Sequence, residues 1–306
     1  MILHLRLYAG ETPVTETRCL SAVLEREIYT PYSTLTAVFP ASQADYGAVS
    51  RVGLVWDNHE IFLGLADSVT VFRRSGVRLV RVTSRTFTSL LTQNELEPGL
   101  HANLTFGQLV SGFYQFPHVT YEPDSRTNYI FVKDGMSLWD SVSAFGYKIT
   151  GKIPYTVNNH IRMTPPEDPA VHTLTGAVIT ETGNVRETAK LISHYHMEDL
   201  EGNPNAYQQS NADALAAEIV RHRQIPFDRQ FLSQIPDALS YRLRFSMRGW
   251  RAEYLEYAGF HNEQPGECMT LANVLNEAVI CRVKMTFTER GIRTRLWTYR
   301  DQFYGN

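Results

Sequence analysis

The first 85 residues show the alternation of apolar and polar side chains that is typical of strands with one buried face. Leu3, Leu5 and Leu7 alternate with polar or amphipathic neighbours. Turn dipeptides such as Asp57-Asn58 and Ser75-Gly76 separate the runs. Further strands are predicted over 18–28, 33–39, 52–56, 60–65, 69–73 and 77–83. Short strands that follow one another without an intervening helix indicate an antiparallel barrel or sandwich.

From about residue 86 the period changes to that of helices. Thr105, with Gln108 three residues later, forms the capping box of one predicted helix, and Ser137 begins a second with Asp140 at the box position. Gly146 is expected just after the second helix. A strand at 129–132 and a hairpin of 155–157 with 161–163 complete a small α/β insert over 90–165. The proline-rich segment 164–169 reads as a linker.

The last third returns to strands. We expect a strand over 190–198, then a helix that begins at Ser210, with Asp213 at its box position, and ends before Pro226. Alternating residues over 279–287 and 292–298 predict a hairpin that turns at Arg290-Gly291. The segment 237–248 stays open, because its alternation favours a strand whereas Pro236-Asp237 favours the start of a helix.

Composition narrows the class of protein. The chain has 306 residues and a net charge of −3, so we expect no broad electrostatic footprint for nucleic acid. No apolar run is long enough to span a bilayer, and the polar residues among the first eight argue against a signal peptide. The three cysteines fit no metal-ligand spacing and are expected to be reduced thiols. Arginine supplies 24 of the 29 basic residues, which suits planar pairing at interfaces.

The sequence indicates one candidate metal site. His194, His196 and Glu198 share one face of the predicted strand, so two imidazoles and a carboxylate could converge on Zn²⁺. The alternative is a polar outer face, since Leu191, Tyr195 and Met197 form the opposite one. No further ligand can be assigned, and the sequence indicates no other cofactor.

Other catalytic patterns are weak. Residues 146–153 have the glycine and lysine spacing of a phosphate-binding loop, but Ile153 stands where serine or threonine is needed. The pairs Glu25/Glu27 and Glu253/Glu256 could serve a glycosidase only if they faced each other across a cleft. Cys281 lies in an alternating apolar strand and is expected in the core.

The order of several short motifs resembles that of the late-control protein D / VgrG-like family, the baseplate hub proteins of contractile tails and injection systems. A strand-glycine-strand unit around Gly64 precedes strand 79–85 and a short helix over 87–91. A helix follows whose start, over 103–110, resembles the family's Asn-x-Thr-x-Gly-x-x-Leu pattern, and then a Ser-x-Trp-Asp start at 137–140. Pro265-Gly266-Glu267 resembles the family's turn before its last strands.

The resemblance implies an α+β, mainly β fold: a tube-like antiparallel β-barrel over 1–89, a small α/β insert over 90–167 and a second tube-like barrel over 168–306. It implies a non-enzymatic homotrimer, a pseudo-six-fold ring that joins a hexameric tail tube to a trimeric spike. Implied partners are the tube ring, a separate spike protein and the surrounding baseplate proteins. DNA or cargo would pass through the channel without specific binding.

The resemblance also implies synthesis in a bacterial cytoplasm and assembly into a phage tail or injection particle. Two alternatives stay open. One is the tail-tip hub of a non-contractile tail, which would share barrels and trimeric symmetry. The other is a metal- or carboxylate-dependent cell-wall hydrolase.

Overall fold

The computed structural model describes residues 3–232, 235–271, 275–300 and 303–304. Strand makes up 46% and helix 16%, which confirms the mainly β, α+β class. Among the described residues before 87, the regular elements are all strands: β1 (Leu3–Tyr8), β2 (Pro13–Glu16), β3 (Ser21–Glu27), β4 (Thr34–Pro40), β5 (Arg51–Trp56), β6 (His59–Arg74) and β7 (Val77–Thr86).

The middle of the chain mixes short strands with two helices: a 3-10 turn (Phe87–Thr92), β8 (Gly99–Thr105), α1 (Phe106–Ser111), β9 (Thr120–Tyr121), β10 (Thr127–Val132), α2 (Leu138–Thr150), β11 (Tyr155–Val157) and β12 (His160–Arg162).

The last part has strands, two helices and two 3-10 turns: β13 (Val171–Thr173), β14 (Val178–Arg186), a 3-10 turn (Thr188–Lys190), β15 (His194–Met197), β16 (Tyr207–Ser210), α3 (Ala212–Ala216), β17 (His222–Ile225), a 3-10 turn (Arg229–Phe231), α4 (Ile235–Ser246), β18 (Arg251–Ala258), β19 (Cys268–Leu271), β20 (Leu275–Val279), β21 (Arg282–Thr288) and β22 (Gly291–Tyr299).

One antiparallel sheet of eleven strands joins the two ends of the chain. Its order is β14-β18-β22-β21-β3-β4-β7-β6-β5-β1-β2. The predicted carboxy-terminal hairpin is confirmed, since β21 pairs with β22 from Arg282↔Trp297 to Thr288↔Gly291. β21 also pairs with β3, which links the two regions implied to be separate barrels. Within the described strands β2 and β14 are edges and no barrel closes, while the limits at 89/90 and 167/168 stay a prediction.

The sheet curls around its apolar face. Five strand steps separate β5 from β21, a distance of about 24 Å in a flat sheet. The rings of Trp56 on β5 and Phe287 on β21 nevertheless lie 5.7 Å apart, and Phe260 packs against both. Strands from both ends of the chain therefore share one core, to which β1 contributes Leu3, Leu5 and Leu7 as its alternation predicts.

The middle segment has its own core, built mainly from α1, α2, β10 and β12. Both predicted capping boxes are confirmed, at Thr105 and at Ser137. The prediction for Gly146 is wrong: α2 continues to Thr150, and Gly151, with φ of 70°, occupies the left-handed position at its end. A Cβ on Gly146 would lie 2.2 Å from Cγ of Pro154, so glycine is needed there for close packing.

In the last third of the chain, the structure corrects one prediction and decides a second that the sequence left open. The helix predicted from Ser210 is only α3, which Asn211 caps by accepting hydrogen bonds from the N–H groups of Asp213 and Ala214. Glu218 has φ of 57°, which ends helical geometry, and the chain then forms β17. The open segment 237–248 lies largely in helix α4, which buries Ala238, Leu239 and Tyr241 among its inward residues.

Candidate assembly surfaces

The two edges of the eleven-stranded sheet differ in their readiness to pair with another chain. β14 is nine residues long, pairs with β18 on one side only and is exposed over most of its length. Val178, at its start, is 66% exposed. β2 has four residues and carries Pro13, which lacks the N–H that strand pairing uses. β14 is therefore the edge better suited to intermolecular pairing.

The hairpin β6–β7 gives a second open edge. Over residues 68–74, β6 pairs with β7, whereas its pairing with β5 is confined to 59–65. Ser75 and Gly76 both have positive φ, the geometry of the tight two-residue turn that their sequence predicts. Strand β6 is thus longer than the two separate strands predicted at 60–65 and 69–73, and its tip lies away from the shared core.

Arginines are distributed unevenly over these surfaces. Next to β14, Arg295 lies 2.5 Å from a carboxylate oxygen of Glu181 and 2.8 Å from one of Glu256. Near the hairpin tip, Arg73 and Arg74 are exposed and have no carboxylate partner in the described part of the chain. The arginines of the tip are therefore available for contacts outside the chain, while those beside β14 serve the chain itself.

A polar seam joins the middle segment to the last third. The Asp228 carboxylate, only 1% exposed, lies 3.5 Å from Nζ of Lys133 and 3.0 Å from a guanidinium nitrogen of Arg242. The backbone N–H of Gln230 donates to the same carboxylate at 3.1 Å, and the Gln230 side chain accepts from the N–H of Phe131. These residues other than Phe131 line a cavity of about 320 Å³. Their charges pair with one another across the seam.

Burial raises the pKa of Asp228, but Lys133 and Arg242 outweigh it and hold the pKa below its usual range. We expect Asp228→Asn to destabilise the chain by about 2 kcal/mol at neutral pH, because both cations keep partial access to water. A carboxyl group whose pKa is lower in the folded than in the unfolded state stabilises the fold at pH values above the unfolded-state pKa of about 4. This stabilisation is lost as the pH falls through the folded-state pKa. The free energies of unfolding of wild type and variant, measured by denaturant titration, should therefore become equal at acid pH. The exposed Asp168→Asn is the control, and a gap that persisted in strong acid would contradict the assignment.

The structure places His194 and His196 on one face of β15, with Tyr195 and Met197 buried on the other. Their neighbour is a third imidazole, His222 of β17, whose Nδ1 lies 2.9 Å from Nε2 of His196. The three rings are nearly parallel, with centroids 4.4–6.2 Å apart. Partial desolvation and these two neighbours lower the pKa of His196.

Glu198 follows the end of β15, and its backbone N–H donates to the carbonyl of Ile225. Among the described residues, the ligand atoms of His194, His196 and Glu198 do not gather within 4.8 Å of one another. The metal site at these three residues stays a prediction. Sequence reasoning missed His222 because it assigned 210–225 to a helix, whereas β17 lies parallel to β15 and pairs His222 with His194.

The carboxylate pairs considered for hydrolysis lie on strands and have partners within the chain. Glu25 pairs with Arg282 and Lys284, and Glu27 accepts from the hydroxyl of Tyr299. Glu253 pairs with Arg300, and Glu256 with Arg295.

Cys281 is fully buried, as expected, and all three cysteines are free thiols. In the described residues, no helix has the length and apolar character needed to cross a membrane.

Known proteins resemble this chain in structure rather than in sequence. No protein-family model and no curated protein sequence matches it. A tail protein from Neisseria meningitidis matches with a TM-score of 0.69 at 12% identity, over 99% of this chain and 97% of that one. The 43 kDa tail protein of prophage MuSo2 from Shewanella oneidensis matches with a TM-score of 0.68 at 10% identity, over 97% of both chains.

A third structure extends the comparison to secretion systems. It is an Escherichia coli component of the type VI secretion system that is itself similar to the T4 bacteriophage tail proteins gp27 and gp5. It matches with a TM-score of 0.58 at 11% identity, over 99% of this chain and 78% of that one. The resemblance found in the sequence is thereby confirmed at the level of the fold.

Proposed function

We propose that this chain is a structural, non-enzymatic hub of a phage-tail-like baseplate. In this proposal three copies form a pseudo-six-fold ring, which joins a hexameric tail tube on one side to a trimeric spike formed by a separate protein on the other. The ring is made in a bacterial cytoplasm and becomes part of a tail or injection particle. The observation that carries the proposal is the shared fold, which extends over 97% or more of this chain and of two tail proteins.

The sheet supports a ring in physical terms. Each copy supplies two groups of strands that are already joined edge to edge through β21 and β3, so three copies would supply six such groups and match the tube's symmetry. Its long β14 edge is open to a neighbouring chain. Edge pairing satisfies backbone groups that would otherwise face water, and it gives a closed ring no remaining edge at the subunit contacts.

The hairpin β6–β7 supports a contact with the next ring. Its tip extends past β5 and carries exposed Arg73 and Arg74 together with exposed Val71 and Val77. Arginine is enriched at protein interfaces relative to the rest of the surface. We assign this tip to the contact with the tail tube or with surrounding baseplate proteins.

We expect Val178→Glu to weaken the trimer by about tenfold or more, because a carboxylate without a partner would be desolvated at the paired edge. Val178 is exposed in the single chain, so the substitution should leave the fold unchanged. Native mass spectrometry and light scattering over a concentration series would measure the trimer fraction.

Val220→Glu is the matched control, since Val220 is 76% exposed and lies outside the eleven-stranded sheet. Equal loss of trimer in both variants would contradict the role of β14. A wild-type chain that stayed monomeric at every concentration and was missing from purified tail particles would contradict the hub itself. An image of the particle would separate a contractile baseplate from a non-contractile tail tip.

A further inference from the structure

We propose that His172, His261 and Glu263 bind one divalent transition-metal ion, of which Zn²⁺ fits best. His172 lies on β13, and the other two lie in the loop between β18 and β19. Each residue offers one ligand atom, and these atoms all lie within 4.8 Å of one another. Two imidazole nitrogens and one carboxylate oxygen make the ligand set of an open zinc site, in which water takes the fourth position. This inference is independent of the proposed trimer.

The carboxylate of this group is fixed before any ion arrives. The side chain of Glu263 is fully buried, and the hydroxyl of Tyr257 donates a short hydrogen bond to its Oε1. The backbone N–H of His261 donates to Oε2 at 3.3 Å. His261 itself has a half-exposed side chain, with its Nδ1 3.7 Å from Oε1 of Glu263, so an ion could enter from its side.

His172 has the orienting partner that metal-bound histidines usually have. Its Nε2 lies 2.7 Å from Oε2 of Glu267. A carboxylate that holds one ring nitrogen fixes the direction of the ring and makes the other nitrogen a better donor to the metal. We therefore assign Nδ1 of His172 as the ligand atom and Glu267 as its positioning residue.

The charge balance of this pocket favours a cation. Glu263 and Glu267 bring two carboxylates, and the buried guanidinium of Arg26 interacts electrostatically with both of them. Arg26 donates to the backbone oxygen of Glu263 rather than to its carboxylate, which leaves the carboxylate to the hydroxyl and to the two histidines. The remaining negative charge can be met by a metal ion.

The test uses the full chain, stripped with a chelator and titrated with Zn²⁺ alone. Isothermal titration and elemental analysis should find one tightly bound equivalent at neutral pH, and the melting temperature should rise with Zn²⁺. The same sample loaded with Co²⁺ should show the visible absorption of a four-coordinate ion. His261→Asn should abolish both signals, and Glu267→Gln should weaken binding by about 10–100-fold.

The control addresses the other histidines of the chain. A double variant, His194→Asn with His196→Asn, removes two of the three stacked rings and should bind Zn²⁺ as tightly as wild type. Binding that survived in His261→Asn and disappeared in the double variant would overturn the proposal. So would a stripped wild-type chain that neither binds Zn²⁺ stoichiometrically nor gains thermal stability from it.

Discussion

Replacing Arg26 with methionine is expected to lower the free energy of unfolding by about 3–5 kcal/mol, since it leaves the buried carboxylate of Glu263 without this cation. Arg26 is 2% exposed and projects from the inward face of β3. Its two terminal nitrogens donate to the backbone oxygens of Glu263 at 2.8 Å and of Ile61 at 2.6 Å. One side chain thus joins β3, β6 and the loop before β19.

The charges around Arg26 make the stability of the fold sensitive to substitution at this position. Burial lowers the pKa of Arg26 to about 10, while Glu263 and Glu267 act in the opposite direction, so the guanidinium stays charged at neutral pH. Without it, the buried carboxylate of Glu263 loses the cation that offsets its charge, which costs free energy. Methionine fills much of the space but offers no donor to the two backbone oxygens.

Denaturant unfolding, followed by circular dichroism, would measure this effect. Arg26→Lys is the intermediate variant: it keeps the charge, but one ammonium cannot replace a planar fork that reaches two acceptors. Arg73→Met is the matched control on an exposed site, expected to change stability by no more than about 0.5 kcal/mol. Equal stabilities of Arg26→Met and Arg73→Met would show that the network does not hold the two parts of the sheet together.

Local features of the fold were predictable because they depend on neighbouring residues. Alternation located β1 and the β21–β22 hairpin, and the capping boxes at Thr105 and Ser137 are where the sequence places them. The segment of α4 could not be decided from the sequence, since its alternation favours a strand whereas Pro236-Asp237 favours the start of a helix. Its packing against the β15–β17 sheet decides for the helix.

Features that depend on distant residues were not predictable. No local pattern shows that β3 pairs with β21, more than 250 positions away, so the joining of the two ends of the chain in one sheet was not predicted. For Arg26 the sequence does indicate burial, because this residue continues the alternation that places Ala22 and Leu24 on the buried face of β3. A charged residue in such a position needs partners, but the sequence does not say that Glu263 and Ile61 provide them. His222 was missed for a different reason, because 210–225 was assigned to a helix where β17 forms.

We expect Gly64→Ala to destabilise the chain by about 2–3 kcal/mol, the cost of forcing an added methyl group into a packed interior. Gly64 lies on β6 between β5 and β7, within the strand-glycine-strand unit that carries the resemblance to hub proteins. A Cβ there would lie 2.3 Å from the carbonyl oxygen of Arg85 and 2.8 Å from Cζ of Phe62. The first contact is with backbone, so it cannot be relieved by rotating a side chain.

To make room for the added methyl group, β6 would have to move away from β7. This movement would disturb the strand register that positions the hairpin tip. Gly10→Ala is the matched control, because an added Cβ there meets nothing within 4 Å and the backbone needs no positive φ. That substitution should be neutral or slightly stabilising, since alanine restricts the unfolded chain. Thermal and denaturant unfolding of both variants would measure the difference. If Gly64→Ala were as stable as Gly10→Ala, β6 and β7 would have room to separate, and the hairpin could not be the rigid contact that a ring-to-ring interface requires.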